Sequence, residues 1–426
     1  MTIDAILQKF ERFGIHLGLE RIQHLLAALG NPQQQVPIIH VAGSNGKGSV
    51  CAYLSAVLTA AGYRVGRYIS PHLLDWTERI CLNEQPISES QLQQMLSRVE
   101  AAIPADGESP TQFEVLTAAA WLYFASEKVD VAVIEVGLGG RLDATNVCAH
   151  PLATVITSIS WEHWQRLGNT LAAIASEKAG ILKPKCPVVV GQLPESAMAV
   201  VKQKIAELEC PAVFPPAAVP VSNENDGNHP PLVCSHGISY RLPLLGDMQR
   251  SNAALAIATL QILRQQGWTI SDTAIAEGMA KTRLLGRIQW VTYQQQSLLV
   301  DGAHNREAAT ALRGFIDQQS PPSVSWVMGM LSTKDHEGIF QTLLRPGDRL
   351  FLVPVPAHSS ASPSELAALA QQIQPQLRSV RSETDLFPAL SAATASEEKS
   401  EEDLVVLCGS LYLLGYFFSH LAPPKS

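Results

Sequence analysis

An apolar run, Ile38-Ile39-His40-Val41-Ala42, breaks off into Gly43-Ser44-Asn45-Gly46-Lys47-Gly48-Ser49, and no other stretch restricts the fold as much. The run reads as a buried strand, the glycines as a turn whose N–H groups approach an anion, and Val50 to Ala61 as a helix with its positive end on the same spot. That is the grammar of a phosphate-binding loop. Lys47 neutralises phosphate charge, and a hydroxyl, Ser49 or Ser44, joins the shell of Mg²⁺. The spacing departs from the commonest pattern, with Val41 in place of its first glycine and Gly48 where Ser or Thr follows the lysine. An ordinary strand-to-helix turn also uses small residues, but it needs neither the lysine nor three glycines within six residues.

A chain of 426 residues exceeds one simple core, so two domains are expected. With 46% hydrophobic and 16% charged residues it buries ample apolar surface. A net charge of -8 argues against a nucleic-acid partner, and an anionic substrate must then be held by a local positive site. Seven cysteines without a Cys-x-x-Cys pair suit a reducing cytoplasm better than a disulfide frame or zinc site. Met1 to Asp4 opens an amphipathic helix rather than a signal peptide. Leu404 to Ala422 imitates a membrane span, but Cys408-Gly409-Ser410 and Gly415 interrupt it, so it reads as a buried strand and then a helix from Leu411.

Apolar strands alternate with helical patterns: Pro37 to Ala42, Arg64 to Ser70, Val129 to Val136, Ala153 to Ser158 and Pro187 to Val190, against helices at Val50 to Ala61, Ser88 to Ala102, Phe113 to Ser126 and Leu171 to Leu182. Near-continuous apolar strands between helices indicate a mostly parallel sheet covered on both faces, an α/β domain. Pro211 to Pro243 changes texture toward an antiparallel edge or an excursion on that domain. Helices follow at Gln249 to Gln265 and Ile270 to Ala280, and a second α/β alternation begins near Gln296. The expected division is residues 1–285 and 286–426, the charged Ser396 to Asp403 run being a solvated loop.

Ligands of parallel sheets bind at the carboxyl ends of strands, and several chemistry-bearing residues share that address. Ser70 ends one strand, Glu135 another, His163 follows a third, and Lys178 lies on the next helix. A serine, a carboxylate and an imidazole beside a phosphate loop form a metal shell, although each alone reads equally as a cap, a structural histidine or a surface residue.

From these residues the chain resembles folylpolyglutamate synthase, including its bifunctional dihydrofolate synthase form, within the Mur ligase superfamily. The resemblance runs through Gly14 to Ile22, the Gly43 to Ser49 loop, Ser70-Pro71-His72-Leu73, Thr77-Glu78-Arg79, Thr111-Gln112-Phe113-Glu114, Glu135 to Asn146, Ser176 to Ile181, Gln249 to Ala253, Gly286-Arg287, Asp301 to Asn305 and Gly409 to Tyr412. It implies a P-loop, Mur-ligase-like ATP-binding domain carrying the folate or pteroate site, followed by a smaller Rossmann-like α/β ligase domain, with ATP between them. The implied activity is ATP-dependent ligation of L-glutamate to 7,8-dihydropteroate, to the γ-carboxylate of tetrahydrofolate or its polyglutamates, or to both, through an acyl phosphate. Asn45, Gly46, Lys47, Gly48, Ser49, Asn252, Arg287, Asp301 and His304 would bind ATP, and Ser49, Ser70, Glu135 and His163 two Mg²⁺ ions. Thr111, Gln112, Phe113, Glu114, Leu142, Asp143, Ala144, Thr145 and Ser410 would line the substrates. Lys47, His163 and Lys178 would be catalytic, Lys178 as its N6-carboxy (carbamate) form. No oligomerisation stripe is visible and the two domains would form the cleft between them, so a monomer is expected; with the charge, cysteine and hydropathy readings above, the expectation is a cytoplasmic enzyme with neither nucleic-acid nor membrane partner.

Departures from the family pattern are Ser44 for Thr, Met248 for the His before Gln249, Leu285 for Pro, and Ser160-Trp161-Glu162 before His163, with Trp164 after it. A ligase of cell-wall nucleotide precursors would carry Ser or Thr directly after Lys47 and lack Thr-x-Phe-Glu. A GTPase-like switch would carry an Asn-Lys-x-Asp signature, which is not found.

Overall fold

The computed structural model describes residues 2–13, 17–103, 108–221, 230–395 and 403–421; Gly14 to His16, Asn223 to His229 and Ser396 to Glu402, named above, lie outside them. The chain divides into two compact units, Met1–Pro243 with Gln249–Arg283, and Leu244–Met248 with Leu284–Ser426.

In the first unit, strands β1 (Ile38–Ala42), β2 (Val65–Tyr68), β3 (Ile80–Leu82), β4 (Gln85–Pro86), β5 (Val131–Glu135), β6 (Ala153–Ile156), β7 (Val188–Val190) and β8 (Ala212–Val213) form one sheet in the order β4-β3-β2-β5-β1-β6-β7-β8. All neighbours from β2 to β8 pair parallel. β1 sits at the centre with every residue buried, which is why Ile38-Ile39-His40-Val41-Ala42 carries no polar alternation apart from His40. The main sheet's antiparallel edge lies at β3 and β4, while Pro211 to Pro243 takes the other expected form, an excursion on the same unit. That stretch adds β8 as a parallel edge, then a separate antiparallel sheet of β9 (Val219–Pro220), β10 (Leu232–Ser235) and β11 (Ile238–Arg241). Prolines cannot donate to a central ladder, so the segment supplies only short peripheral strands.

Two apolar layers enclose the main sheet. One joins the N-terminal helices to the helix Gln112–Ser126, from Val115 through Phe124; the other joins Ile156, Val188 and Val190 to the helices Leu171–Ala179 and Glu195–Glu207.

The second unit holds β12 (Gln289–Tyr293), β13 (Gln296–Val300), β14 (Val324–Met328), β15 (Arg349–Leu352), β16 (Ser379–Ser382) and β17 (Leu404–Cys408) in the order β12-β13-β17-β14-β15-β16. All pairs but the β12–β13 hairpin are parallel. The Leu404 to Leu421 segment is a fully paired strand and the helix Leu411–Leu421, and no helix among the described residues is long and apolar enough to cross a membrane.

Candidate active site

β1 feeds the helix Lys47–Ala60 through Gly43 to Gly46, and the turn is tightly constrained. Gly46 caps the helix at φ 85, where a Cβ would stand 2.4 Å from Asn252 Oδ1. A Cβ on Gly43 would stand 1.8 Å from Thr157 Oγ1. Both positions therefore exclude a side chain. Gly46 has no side chain to cap the helix, so the first N–H groups stay directed outward, as anion binding requires.

The loop is pinned from below by the chain after β6. Ser44 N donates to Ser158 O at 2.8 Å, Asn45 N to Ser158 Oγ at 3.1 Å, and Ser160 N to Ser44 Oγ at 2.9 Å. Ser44 is therefore occupied in bracing this loop, and Ser49 alone of the two hydroxyls lies on the helix. Ser49 is buried, accepting from Gln249 Nε2 at 3.3 Å.

Two lysines converge on one carbonyl. Lys47 Nζ donates to the carbonyls of Gly43 and Ser44, each at 3.0 Å, and an ammonium has a third donor to offer an anion. Lys178, 3% exposed in the last turn of Leu171–Ala179, donates to the same Gly43 oxygen at 2.7 Å. Lys47 and the helix end supply a local positive field of the kind an anion needs on a chain of net charge -8.

Ser70 and Glu135 meet beside this loop. Ser70 ends the extension of β2, Glu135 ends β5, and the Ser70 N–H donates to Glu135 Oε2 at 3.3 Å. His163 occupies a left-handed turn at φ 50, its Nε2 3.8 Å from Glu162 Oε1. Among the described residues no three His, Cys, Asp or Glu side chains cluster as a metal cage. Hydroxyls with a single carboxylate fit Mg²⁺, a hard cation bound through one or two carboxylates and substrate phosphates rather than by an all-protein cage.

The expected substrate-lining segments carry architecture as well. Thr111 and Glu114 form a capping box on the helix Gln112–Ser126: Glu114 N donates to Thr111 Oγ1 at 3.2 Å and Thr111 N to Glu114 Oε2 at 2.7 Å. Glu114 also pairs with Arg21 at 3.2 Å. Phe113 fills the space above Gly137, where a Cβ would approach to 2.4 Å. Asp143 is buried, accepting from Leu138 N, Thr145 N and the Thr145 hydroxyl at 2.8, 3.0 and 2.5 Å. Burial pushes its carboxyl up, opposed by those hydrogen bonds. Thr145 Oγ1 in turn lies 2.9 Å from His40 Nε2, and burial, with Lys183 nearby, lowers that imidazole to about 3. Ala144 and Thr145 are buried; Gln112, Phe113 and Leu142 keep partly accessible surface.

In the second unit the loop after β13 carries Asp301 to Asn305. Asp301 accepts from Ile288 N and Ala303 N, both at 2.8 Å, and burial pushes its carboxyl up against the opposing pull of Arg287. His304 Nδ1 lies 2.8 Å from Gly302 O. Ser410, after β17, is buried and accepts from Tyr412 N at 3.2 Å. Gln249, to which the family resemblance gives no role, stands one turn before Asn252 on the same helix and accepts from Asn252 Nδ2 at 3.2 Å.

Comparison with known proteins agrees along the whole chain. Residues 41–260 match the Mur ligase middle domain and residues 286–420 the dihydrofolate synthetase C-terminal domain. A probable dihydrofolate synthetase of Schizosaccharomyces pombe is 36% identical over 96% of this chain and 99% of its own. The dihydrofolate synthase/folylpolyglutamate synthase of Bacillus subtilis is 34% identical over 95% and 94%. A bifunctional folylpolyglutamate synthase/dihydrofolate synthase crystallised with Mn, AMPPNP and L-glutamate superposes with a TM-score of 0.84, at 32% identity over 99% of this chain and 98% of that one. With this phosphate loop, this pair of domain matches and this coverage, the chain belongs to the dihydrofolate synthase/folylpolyglutamate synthase family of ATP-dependent Mur-type ligases.

Proposed function

We propose that this enzyme couples ATP cleavage to amide formation between L-glutamate and a pterin-bearing carboxylic acid, either 7,8-dihydropteroate or the γ-carboxylate of tetrahydrofolate and its polyglutamates. The observation that carries the reading is the open helix end with Lys47 at its centre, flanked by Glu135 with Ser70 and by buried Lys178. The relatives' names supply the substrate class, and the relative holding AMPPNP, Mn and L-glutamate supports nucleotide, divalent cation and amino acid on this scaffold.

A carboxylate is a poor electrophile. In the first step its oxygen attacks the γ-phosphorus and ADP departs; in the second the glutamate amine attacks the acyl carbon, the C–O bond breaks, phosphate leaves and the nitrogen loses a proton. Lys47 and the N–H groups of Gly46, Lys47, Gly48 and Ser49 hold the phosphates, and Asn45 keeps the turn in register through Ser158. Ser49, Ser70, Glu135 and His163 would hold Mg²⁺, which screens the phosphoryl oxygens as charge moves to the bridging position. Asn252, Arg287, Asp301 and His304 contribute to nucleotide binding. Gln112, Phe113 and Leu142 present surface to the pterin acid, while Thr111, Glu114, Asp143, Ala144 and Thr145 shape the loops that carry them. Ser410 contacts glutamate.

Lys178 acts as a carbamate in this reading. Two ammonium groups on one carbonyl oxygen repel, and conversion of Lys178 to an anion removes that repulsion and suits a site visited by Mg²⁺. Seven free thiols support a reducing cytoplasm, and the enzyme works as a monomer. Assays with dihydropteroate and tetrahydrofolate side by side, each with MgATP and L-glutamate, test the reading. Glutamate-dependent product from at least one acid is expected, and ATP turnover equal with and without the pterin acid overturns it.

A further inference from the structure

Gln249 is 2% exposed near the start of the helix Met248–Gln265, yet the mechanism above gives it nothing to do. Its amide meets three buried partners of the first unit. The Tyr53 hydroxyl donates to Oε1 at 3.4 Å, Asn252 Nδ2 donates to the same oxygen at 3.2 Å, and Nε2 donates to Ser49 Oγ at 3.3 Å. The Asn252 contact favours this orientation, because the flipped amide would turn an N–H toward Asn252 Nδ2, whereas the Tyr53 hydroxyl can meet either end of the amide. Tyr53 is held as a protonated donor, since burial, with Tyr240 nearby, pushes its phenol well up. Asn252 is fixed from its other end: with Nδ2 on Gln249, its Oδ1 faces the Gly46 backbone, where no Cβ fits.

Ser49 is the point where this loop departs from the common pattern. Its hydroxyl stands two residues after the lysine instead of one, and one added helical residue turns a side chain by about 100° and raises it about 1.5 Å. A hydroxyl has two lone pairs and one proton. The N–H of Gln249 takes one lone pair and so restricts the other to the two remaining tetrahedral directions, which it shares with the proton.

We infer that Gln249 is a positioning residue: by donating to Ser49 Oγ, with its own amide locked by Tyr53 and Asn252, it aims the remaining Ser49 lone pair at the divalent cation that accompanies the nucleotide. The inference rests on the reading of Ser49 as a cation ligand.

Calorimetric titration of ADP, with and without Mg²⁺, tests it on the wild type, Gln249→Met, Ser49→Ala and Tyr53→Phe, with thermal unfolding as the fold control. Outer groups that orient metal ligands contribute about 10-fold or more to metal affinity. Gln249→Met is therefore expected to keep the Mg²⁺-free ADP affinity and to lose about 10-fold of the Mg²⁺-dependent gain. Ser49→Ala loses at least as much, and Tyr53→Phe less. If Ser49→Ala loses the gain while Gln249→Met and Tyr53→Phe keep it, the inference falls and the ligand reading stands. If Ser49→Ala keeps the gain, the ligand reading falls and the inference with it. Equal loss with and without Mg²⁺ in Gln249→Met marks a structural residue and also overturns the inference. Should Gln249→Met fail to fold, Tyr53→Phe decides alone, an undiminished Mg²⁺-dependent gain overturning the inference.

Discussion

The loops after β1 and β13 share a plan and differ in polarity. Each follows a strand whose last three residues are buried and which pairs parallel with a neighbour, and each enters a helix, Lys47–Ala60 in one and Arg306–Gln319 in the other. The first leaves its helix uncapped by any side chain, keeps a lysine at the opening and offers N–H groups outward. The second closes its helix with Asn305, whose side chain accepts from Ala308 N at 2.9 Å, and commits the Asp301 carboxylate to two backbone donors. Strand-loop-helix topology thus fixes where a site stands, while the capping chemistry decides whether it attracts an anion or completes itself.

Substitutions separate the two designs. Asp301→Ala orphans the N–H groups of Ile288 and Ala303 and is expected to lower stability by about 2–5 kcal/mol, read by denaturant unfolding. Unchanged stability would show that the second loop is not self-completing. Lys47→Met goes the other way: ligation falls by about 100-fold or more with little change in melting temperature, and a variant that retains ligation breaks the assignment of the first loop.

The two regions also titrate with opposite sign. His40, on β1, is lowered from its ordinary value to about 3, so between about pH 6.5 and 3 the unfolded chain binds the proton that the folded chain refuses. Stability from this group is present above that window and lost as pH falls through it, by about 1.4 kcal/mol per pH unit at most. Asp301 is raised, so the folded state binds the extra proton just above the ordinary carboxylate range, and its contribution grows on acidification. His40→Gln should flatten the acid limb of an unfolding-versus-pH curve; an identical limb contradicts the burial argument. The smallest effect belongs to Asn305→Ala, which removes a helix cap and should cost about 1 kcal/mol in unfolding free energy while changing ligation far less than Lys47→Met.

Much of this was legible because burial writes itself into composition. β1, β5, β6, β7 and β17 are nearly continuous apolar runs, and the glycines and lysine after β1 read as a phosphate-binding loop at a strand-to-helix turn. What escaped was polar and local. Thr111-Gln112-Phe113-Glu114 carries the Thr-x-x-Glu signature of a capping box, and Asp143-Ala144-Thr145 that of an aspartate folding back on its own turn, local roles that stand beside the substrate-lining one the resemblance implies. β12 was missed because its turn, Gln294-Gln295, adopts positive φ at both positions without the Asn-Gly that normally announces such a hairpin. Gln249 escaped because its meaning lies in three partners, two of them some 200 residues distant in sequence.

The central claim is that this positive loop activates a carboxylate by phosphorylating it. Ligation with the pterin acid's reacting carboxylate labelled with ¹⁸O tests this most directly, read by the isotope shift in the phosphorus resonance of released phosphate. The account predicts inorganic phosphate carrying one ¹⁸O for each amide formed. Unlabelled phosphate accompanying labelled amide would contradict it.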